Sequence, residues 1–307
     1  MIPHPRQQQS GACQAERSAR KMVDMADGLS AGTLTWVSQL RAQLSECGQK
    51  YAQARGLPHQ LSCGGVPAVI FEPSDSGQHG NFLPASYSAI LRNPEWRRRL
   101  LKPHAQSKSL PRTGRRWCEL DSANSSDALL MNIFCYPGVA GDRRVLHLLG
   151  AETDGPPHFG YKARVPLREG KSDRTEVDMR LGNLLVEAKL TESDFQRKAK
   201  PALACYRDFA VVFYRRQLPQ LLNHYMSYQL IRNVLAAYVL GHSFCVLSDA
   251  RRPDLREAWF QVMLAVRPAD LRVRCKSLTW QELAAVLPPT LQRFLEEKYG
   301  IISSTKG

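Results

Sequence analysis

The sequence predicts an α/β fold in which a mixed central sheet is flanked by helices. Two observations carry that prediction. From Ser125 onward the apolar pattern runs helix, three or four strands, helix, strand, helices, an order that layers helices against a mixed sheet. The hydrophobic fraction is 43% over 307 residues, ordinary for a globular chain and enough for a core of that kind.

Residues 1–30 are polar and without clear period, and they read as a disordered lead-in. Residues 33–55 can form an amphipathic helix. A Gly-, Pro- and Ser-rich stretch, 56–90, surrounds one short apolar strand, VPAVIF. These segments and a basic run form an N-terminal region, 31–118, mostly helical in pattern, ahead of a main domain over 119–307. In that domain SSDALLMNIF reads as a helix capped by a serine. RVLHLLGAE, FGYKARVPL, TEVDMRL and NLLVEAKL read as strands. TESDFQRKAKPA opens a helix or turn. LPQLLNHYMSYQLIRNVLAAYVLG reads as one long helix, with Pro219 near its start and Gly241 past its end. SFCVLSDA is a buried strand, and Pro288-Pro289 splits the closing segment into two helices.

The net charge of +14 favours a polyanionic partner, nucleic acid first. No apolar run is long enough to span a bilayer, and the first residues lack the apolar stretch of a signal peptide, so the cytoplasm is the default compartment and no membrane partner is expected. None of the eight cysteines is spaced Cys-x-x-Cys, which argues against zinc and for free, largely buried thiols. Residues 92–116 are strongly basic, with Trp96 near the start of the run and Trp117 just past its end. Arg97, Arg98, Arg99, Arg115 and Arg116 are the candidates there for phosphate contact, against the plainer reading of a solvated face.

Chemistry concentrates in TEVDMRLGNLLVEAKL, residues 175–190. A two-residue turn at Gly182-Asn183 makes it a hairpin. In the register that turn sets, Leu181 faces Leu184, Met179 faces Val186 and Val177 faces Ala188, all on one apolar side. The other side pairs Asp178 with Glu187 and Glu176 with Lys189. The second pair is an ordinary cross-strand ion pair. Like charges directly opposed destabilise a sheet, and a shared divalent cation removes that penalty. Lys189, two residues from Glu187, lies where it can hold or help deprotonate an attacking water, and the set suits metal-assisted phosphodiester hydrolysis. The Glu-x-Lys string recurs at Glu169 and Glu296, but only Glu187-Ala188-Lys189 sits in a strand with an acidic partner.

Asp178, eight intervening residues and Glu187-x-Lys189 resemble the signature of the PD-(D/E)XK nucleases. Further segments, among them FLPASYSAILRNPEW, RRWCELDSANSSDALLMNIFCYPG, YQLIRN and FCVLSDARRPDL, resemble a bacterial family assigned as restriction endonucleases within that superfamily. The resemblance runs from about residue 80 to the end. It implies an αβββαβ core and an Mg²⁺-dependent endodeoxyribonuclease of a restriction or defence system, with Mn²⁺ as a substitute metal and DNA as partner. A homodimer is compatible with it. Asp178, Glu187 and the Ala188 carbonyl would be the metal ligands, and Lys189 would position water and stabilise developing charge. Val177 stands where the signature's proline would be. Glu119, Asp121 and Asp127 are candidates for an additional acid, with Glu176 and Gln229 as further accessory residues. Arg232, Arg251 and Arg252 are candidates for DNA contact. An inactive nuclease fold that only binds DNA, or an enzyme acting on RNA or repair intermediates, would preserve the same hairpin.

Overall fold

The computed structural model describes residues 36–303 apart from 64, 73–76, 105–109, 112–115 and 154. The lead-in 1–30, Cys13 and Arg115 lie outside the described residues. Five strands form the main sheet: β1 (His158–Lys162), β2 (Glu176–Leu181), β3 (Leu184–Ala188), β4 (Ser243–Ser248) and β5 (Cys275–Thr279). Their spatial order is β5-β4-β3-β2-β1. The first three strands run antiparallel to one another, while β4 and β5 pair parallel. The sheet is thus mixed, as the pattern predicts.

Both faces are covered. One carries Met179, Leu181, Leu184, Val186, Ala188 and Leu247 and packs against helices α1 (36–54), α4 (Ser126–Phe134), α5 (Arg143–Leu149) and α8 (Pro289–Tyr299). The other carries Leu185, Phe244 and Val246 and packs against α6 (Tyr228–Leu240) and α7 (Pro253–Leu264). Between α1 and α4 lie α2 (Pro84–Arg92) and α3 (Pro94–Arg99). The N-terminal region is therefore not separate, because α1 buries Val37, Leu40, Leu44 and Tyr51, and the last three join the strands' own core.

Several elements differ from the sequence reading. RVLHLLGAE is mostly helix, not strand. The Asp142 side chain caps its start by accepting the Arg144 N–H, Gly150 closes it in the left-handed region, and Val145 and Leu149, four apart, are buried together. FGYKARVPL breaks at Arg164, whose φ of 53° ends the strand. TESDFQRKAKPA is irregular up to a two-residue strand, Lys198–Ala199, which pairs with His224–Tyr225, and a short helix begins at Lys200, with Gln196 at positive φ. The long helix begins only at Tyr228. Leu222 and Ser227 take positive φ, and the residues before Tyr228 form short strands at Gln220–Leu221 and His224–Tyr225.

The hairpin register is as read for Met179–Val186, Arg180–Leu185 and Leu181–Leu184. There the ladder stops. The Asp178 carboxylate accepts the Ala188 N–H at 2.7 Å, so a side chain takes the place of a strand-to-strand bond and the strands part. Val177 accordingly joins the Leu185 side of the core instead of facing Ala188. At the turn, Gly182 has φ +54°, and a Cβ there would lie 1.9 Å from the Glu152 carbonyl oxygen. Asn183 completes that clasp, its N–H donating to Glu152 O while its side chain accepts the Glu152 N–H. Gly182→Ala should lower the unfolding free energy by about 1–3 kcal/mol in urea titrations. An unchanged midpoint would mean that the turn relaxes without cost.

Candidate active site

The site lies where the hairpin parts. Ser125 caps α4 by accepting the Ala128 N–H, and this start sets Asp127 in the first helical turn, buried. Asn93 caps α3 and aims Arg99, the last residue of that helix, inward. Arg99 donates to Asp127 at 2.7 Å and to Glu176 at 2.9 Å. Both bonds pass over Gly160, where φ is +66° and a Cβ would lie 2.3 Å from the guanidinium. Lys102 bridges Asp127 at 3.0 Å and Glu119 at 2.9 Å.

From the opposite side α6 supplies Arg232 and Asn233. Arg232 donates to the Glu176 carbonyl at 2.7 Å and to the Asn233 side-chain oxygen. The Asn233 amide then donates to Glu187 at 2.7 Å, and the other Glu187 oxygen lies 2.8 Å from the Lys189 ammonium. A continuous polar chain thus runs from Glu119 to Lys189. Lys189 is fixed along its backbone too, its N–H donating to Leu247 O and its carbonyl accepting the Trp280 indole N–H.

Charge in this buried space is unbalanced. Burial, then Glu187, then Asp127 hold the Asp178 carboxyl well above the usual carboxylate range, with Lys189 and the Ala188 N–H only partly opposing. Glu119 is also raised, by burial and then Asp127. Burial works to lower the Lys189 pKa, but Glu187, Glu192 and Asp178 outweigh it and keep the ammonium charged above its ordinary value.

The sequence-derived residues divide cleanly. Asp178, Glu187, Lys189, Asp127, Glu119 and Glu176 come together. Glu176 pairs with Arg99, not with Lys189, because the parted strands carry the two away from each other. Asp121 faces elsewhere, bonded to His79 and to the Cys118 N–H. Gln229 sits one turn before Asn233, and its buried amide oxygen has no hydrogen-bond partner among the described residues. Of the arginines read as DNA contacts, Arg97, Arg98 and Arg116 are exposed at the surface. The other described ones are committed inside the protein. Arg99 and Arg232 belong to the polar chain. Arg251 holds Asp249, Gln43 and the Tyr299 carbonyl. Arg252 is buried against Asp254 and the Glu192 and Ser193 carbonyls.

Three participants escaped the sequence reading of the site: Lys102, Asn233 and Glu192. Glu192 accepts the Ser126 hydroxyl and the Leu190 N–H beside Lys189. Asn233 was findable in principle, since it lies four residues after Gln229 and so on the same helix face.

Among the described residues no three His, Cys, Asp or Glu side chains converge as a ready-made metal cage. Arg99 and Lys102 hold Asp127, and Asn233 and Lys189 hold Glu187, so of the three Asp178 is the carboxylate without an ionic partner of its own, with Glu187 beside it. Two carboxylates plus a backbone carbonyl, with water filling the rest, suit Mg²⁺ better than metals that take dedicated all-protein cages. The elevated Asp178 carboxyl is the feature a divalent cation would relieve.

A five-stranded mixed sheet flanked by helices is compatible with a nuclease-like fold. Residues 34–300 match the family described as Restriction Endonuclease associating with ARP, and the chain belongs to that family. No curated protein and no solved structure matches it. No helix among the described residues is long and apolar enough to cross a membrane.

The folded Asp178 carboxyl holds its proton more tightly than the unfolded chain does. Metal-free stability therefore falls as pH rises from the ordinary carboxylate range through the raised value. Asp178→Asn keeps an oxygen for the Ala188 N–H and removes the charge. In EDTA near neutral pH it should be more stable than wild type by about 1–3 kcal/mol in urea titrations. The difference should fade toward about pH 4, where the unfolded carboxyl is itself protonated. A variant less stable than wild type near neutrality would show that the charge is well compensated.

Proposed function

We propose that this protein is an Mg²⁺-dependent endodeoxyribonuclease with a restriction or other defence role, and that its metal ligands are Asp178, Glu187 and the Ala188 carbonyl. Membership in a restriction endonuclease family supports the reading, and so does the αβββαβ order of α4, β1–β3, α6 and β4. The observation that carries it is Asp178, half-buried beside Glu187 and Asp127 with its charge only partly compensated. Such a cluster is costly for a structural role and useful for holding a cation.

When bound, the cation supplies positive charge and Lewis acidity at the scissile phosphate. The chain's own residues do the rest. Asn233 fixes one Glu187 oxygen, and Arg232 fixes Asn233. Lys189 stays protonated, so it donates hydrogen bonds and opposes negative charge growing on phosphate oxygens, and does not itself take up a proton. Arg99 and Lys102 pair with Asp127 and hold its carboxylate in place beside the site. Arg97, Arg98 and Arg116, at the surface, are suited to backbone phosphates.

Supercoiled plasmid incubated with purified protein and Mg²⁺ should be nicked or cut. Asp178→Asn and Lys189→Ala should each slow cleavage by about a hundredfold or more. Mg²⁺ or Mn²⁺ should raise the melting temperature of wild type and not of Asp178→Asn. Equal cleavage by wild type and Lys189→Ala would remove the assignment, and cleavage of RNA alone would change the substrate. Replacing Arg97, Arg98 and Arg116 together by alanine should weaken DNA binding and flatten its log–log salt dependence by about one unit for each phosphate that is no longer neutralised. An unaltered slope would place the DNA on another face.

A further inference from the structure

A concavity lined by His79, and by none of the residues of the polar chain, lies apart from the hairpin. It measures about 640 Å³ and is walled by α1, α2, α8 and the segment 77–83. That volume is in the range of small-molecule sites, about 300–1,000 Å³.

Its lining has two parts. The first is aromatic. Phe82 and Tyr87 lie nearly parallel, 26° apart with centroids at 5.7 Å, and His79 packs edge-on to Phe82. Tyr51 lines the opposite wall, with the Arg55 guanidinium 4.2 Å from its ring centre. The second part is cationic. Arg55, Arg92 and Arg293 line the cavity against one acid, Glu297, which pairs with Arg55. Arg92 donates only to the Ser88 hydroxyl, and Arg293 has no polar partner among the described residues. Both are exposed. Two uncommitted guanidiniums beside an aromatic slot suit a flat ring that carries a phosphate.

The walls are fixed. Lys298, on the buried side of α8, donates to the Asn81 carbonyl and to the Asn81 side-chain oxygen among the rings of Tyr51, Phe71, Phe294 and Tyr299. His79 Nδ1 accepts the Asn81 N–H at 3.2 Å, so Nε2 bears the proton given to Asp121 at 3.0 Å. With both nitrogens engaged, this histidine is unavailable as a base or nucleophile, and the cavity is built to hold a ligand, not to transform it. The Gln78 side chain and the Tyr87 hydroxyl remain for the polar edge of a base.

We propose that this cavity binds a nucleotide, with the base against Tyr51, Phe82 and Tyr87 and the phosphate on Arg92 and Arg293. The ligand can be a free mononucleotide or one nucleotide unit of a DNA strand. The site is separate from the nuclease centre, and its test does not depend on cleavage.

Titration calorimetry with the full chain should find a 5′-mononucleotide binding with Kd below about 1 mM, with the matching nucleoside and inorganic phosphate each about tenfold weaker or more. Arg92→Glu and Arg293→Glu, both surface changes, should each weaken binding about tenfold, and Tyr87→Ala at least as much. Lys189→Ala should leave it unchanged. Displacement of the mononucleotide by a short oligonucleotide would identify DNA as the source. Failure to displace would identify the free nucleotide. No binding by any of the four mononucleotides up to about 10 mM would overturn the proposal. So would binding that both arginine variants retain in full, or binding abolished in Lys189→Ala.

Discussion

The structure turns on the cost of placing three carboxylates, the buried Asp127 and Glu187 and the half-buried Asp178, together at the opening of a hairpin. Most of the unusual features near the site follow from it. Arg99 and Lys102 are drawn inward to Asp127, and Lys189 to Glu187. Gly160 has no side chain because the Arg99 guanidinium lies where one would be. Asp178 alone has no cation of its own and takes a backbone N–H instead, which ends the strand pairing at that point. Buried groups of this kind are poor sources of stability and are retained where they serve chemistry.

The hairpin was legible because two independent signals agreed. The Gly182-Asn183 turn and the alternation of apolar residues on either side fix one register, and the structure has that register where the strands pair. The nearness of Asp178 to Glu187 follows from that register, although the pairing itself ends one step earlier, at Met179–Val186. Past Met179 the arithmetic fails, since it assumes that every backbone group pairs with backbone. A carboxylate that captures the Ala188 N–H breaks that assumption, and neither the Val177–Ala188 contact nor the Glu176–Lys189 pair forms.

The arginines were the least legible part. A basic run reads as a surface, and Arg97 and Arg98 do stay at the surface. Arg99 does not, because its partners Asp127 and Glu176 are 28 and 77 residues away and only the fold brings them near. Arg252 likewise satisfies carbonyls about 60 residues distant. In the long α6 segment, apolar spacing persists through residues that are not helical. Left-handed Leu222 and Ser227 carry no glycine to announce the break.

The three-residue turn Glu119–Asp121 presents its two acids in different directions, Glu119 to Lys102 and Asp121 to His79. It is stitched shut by Asp121 accepting the Cys118 N–H. One turn therefore touches both the cavity beside His79 and the polar chain that ends on Glu119. A replacement at Asp121 would release His79 on one side and disturb the backbone that presents Glu119 on the other, so a change in this turn should be felt at both places.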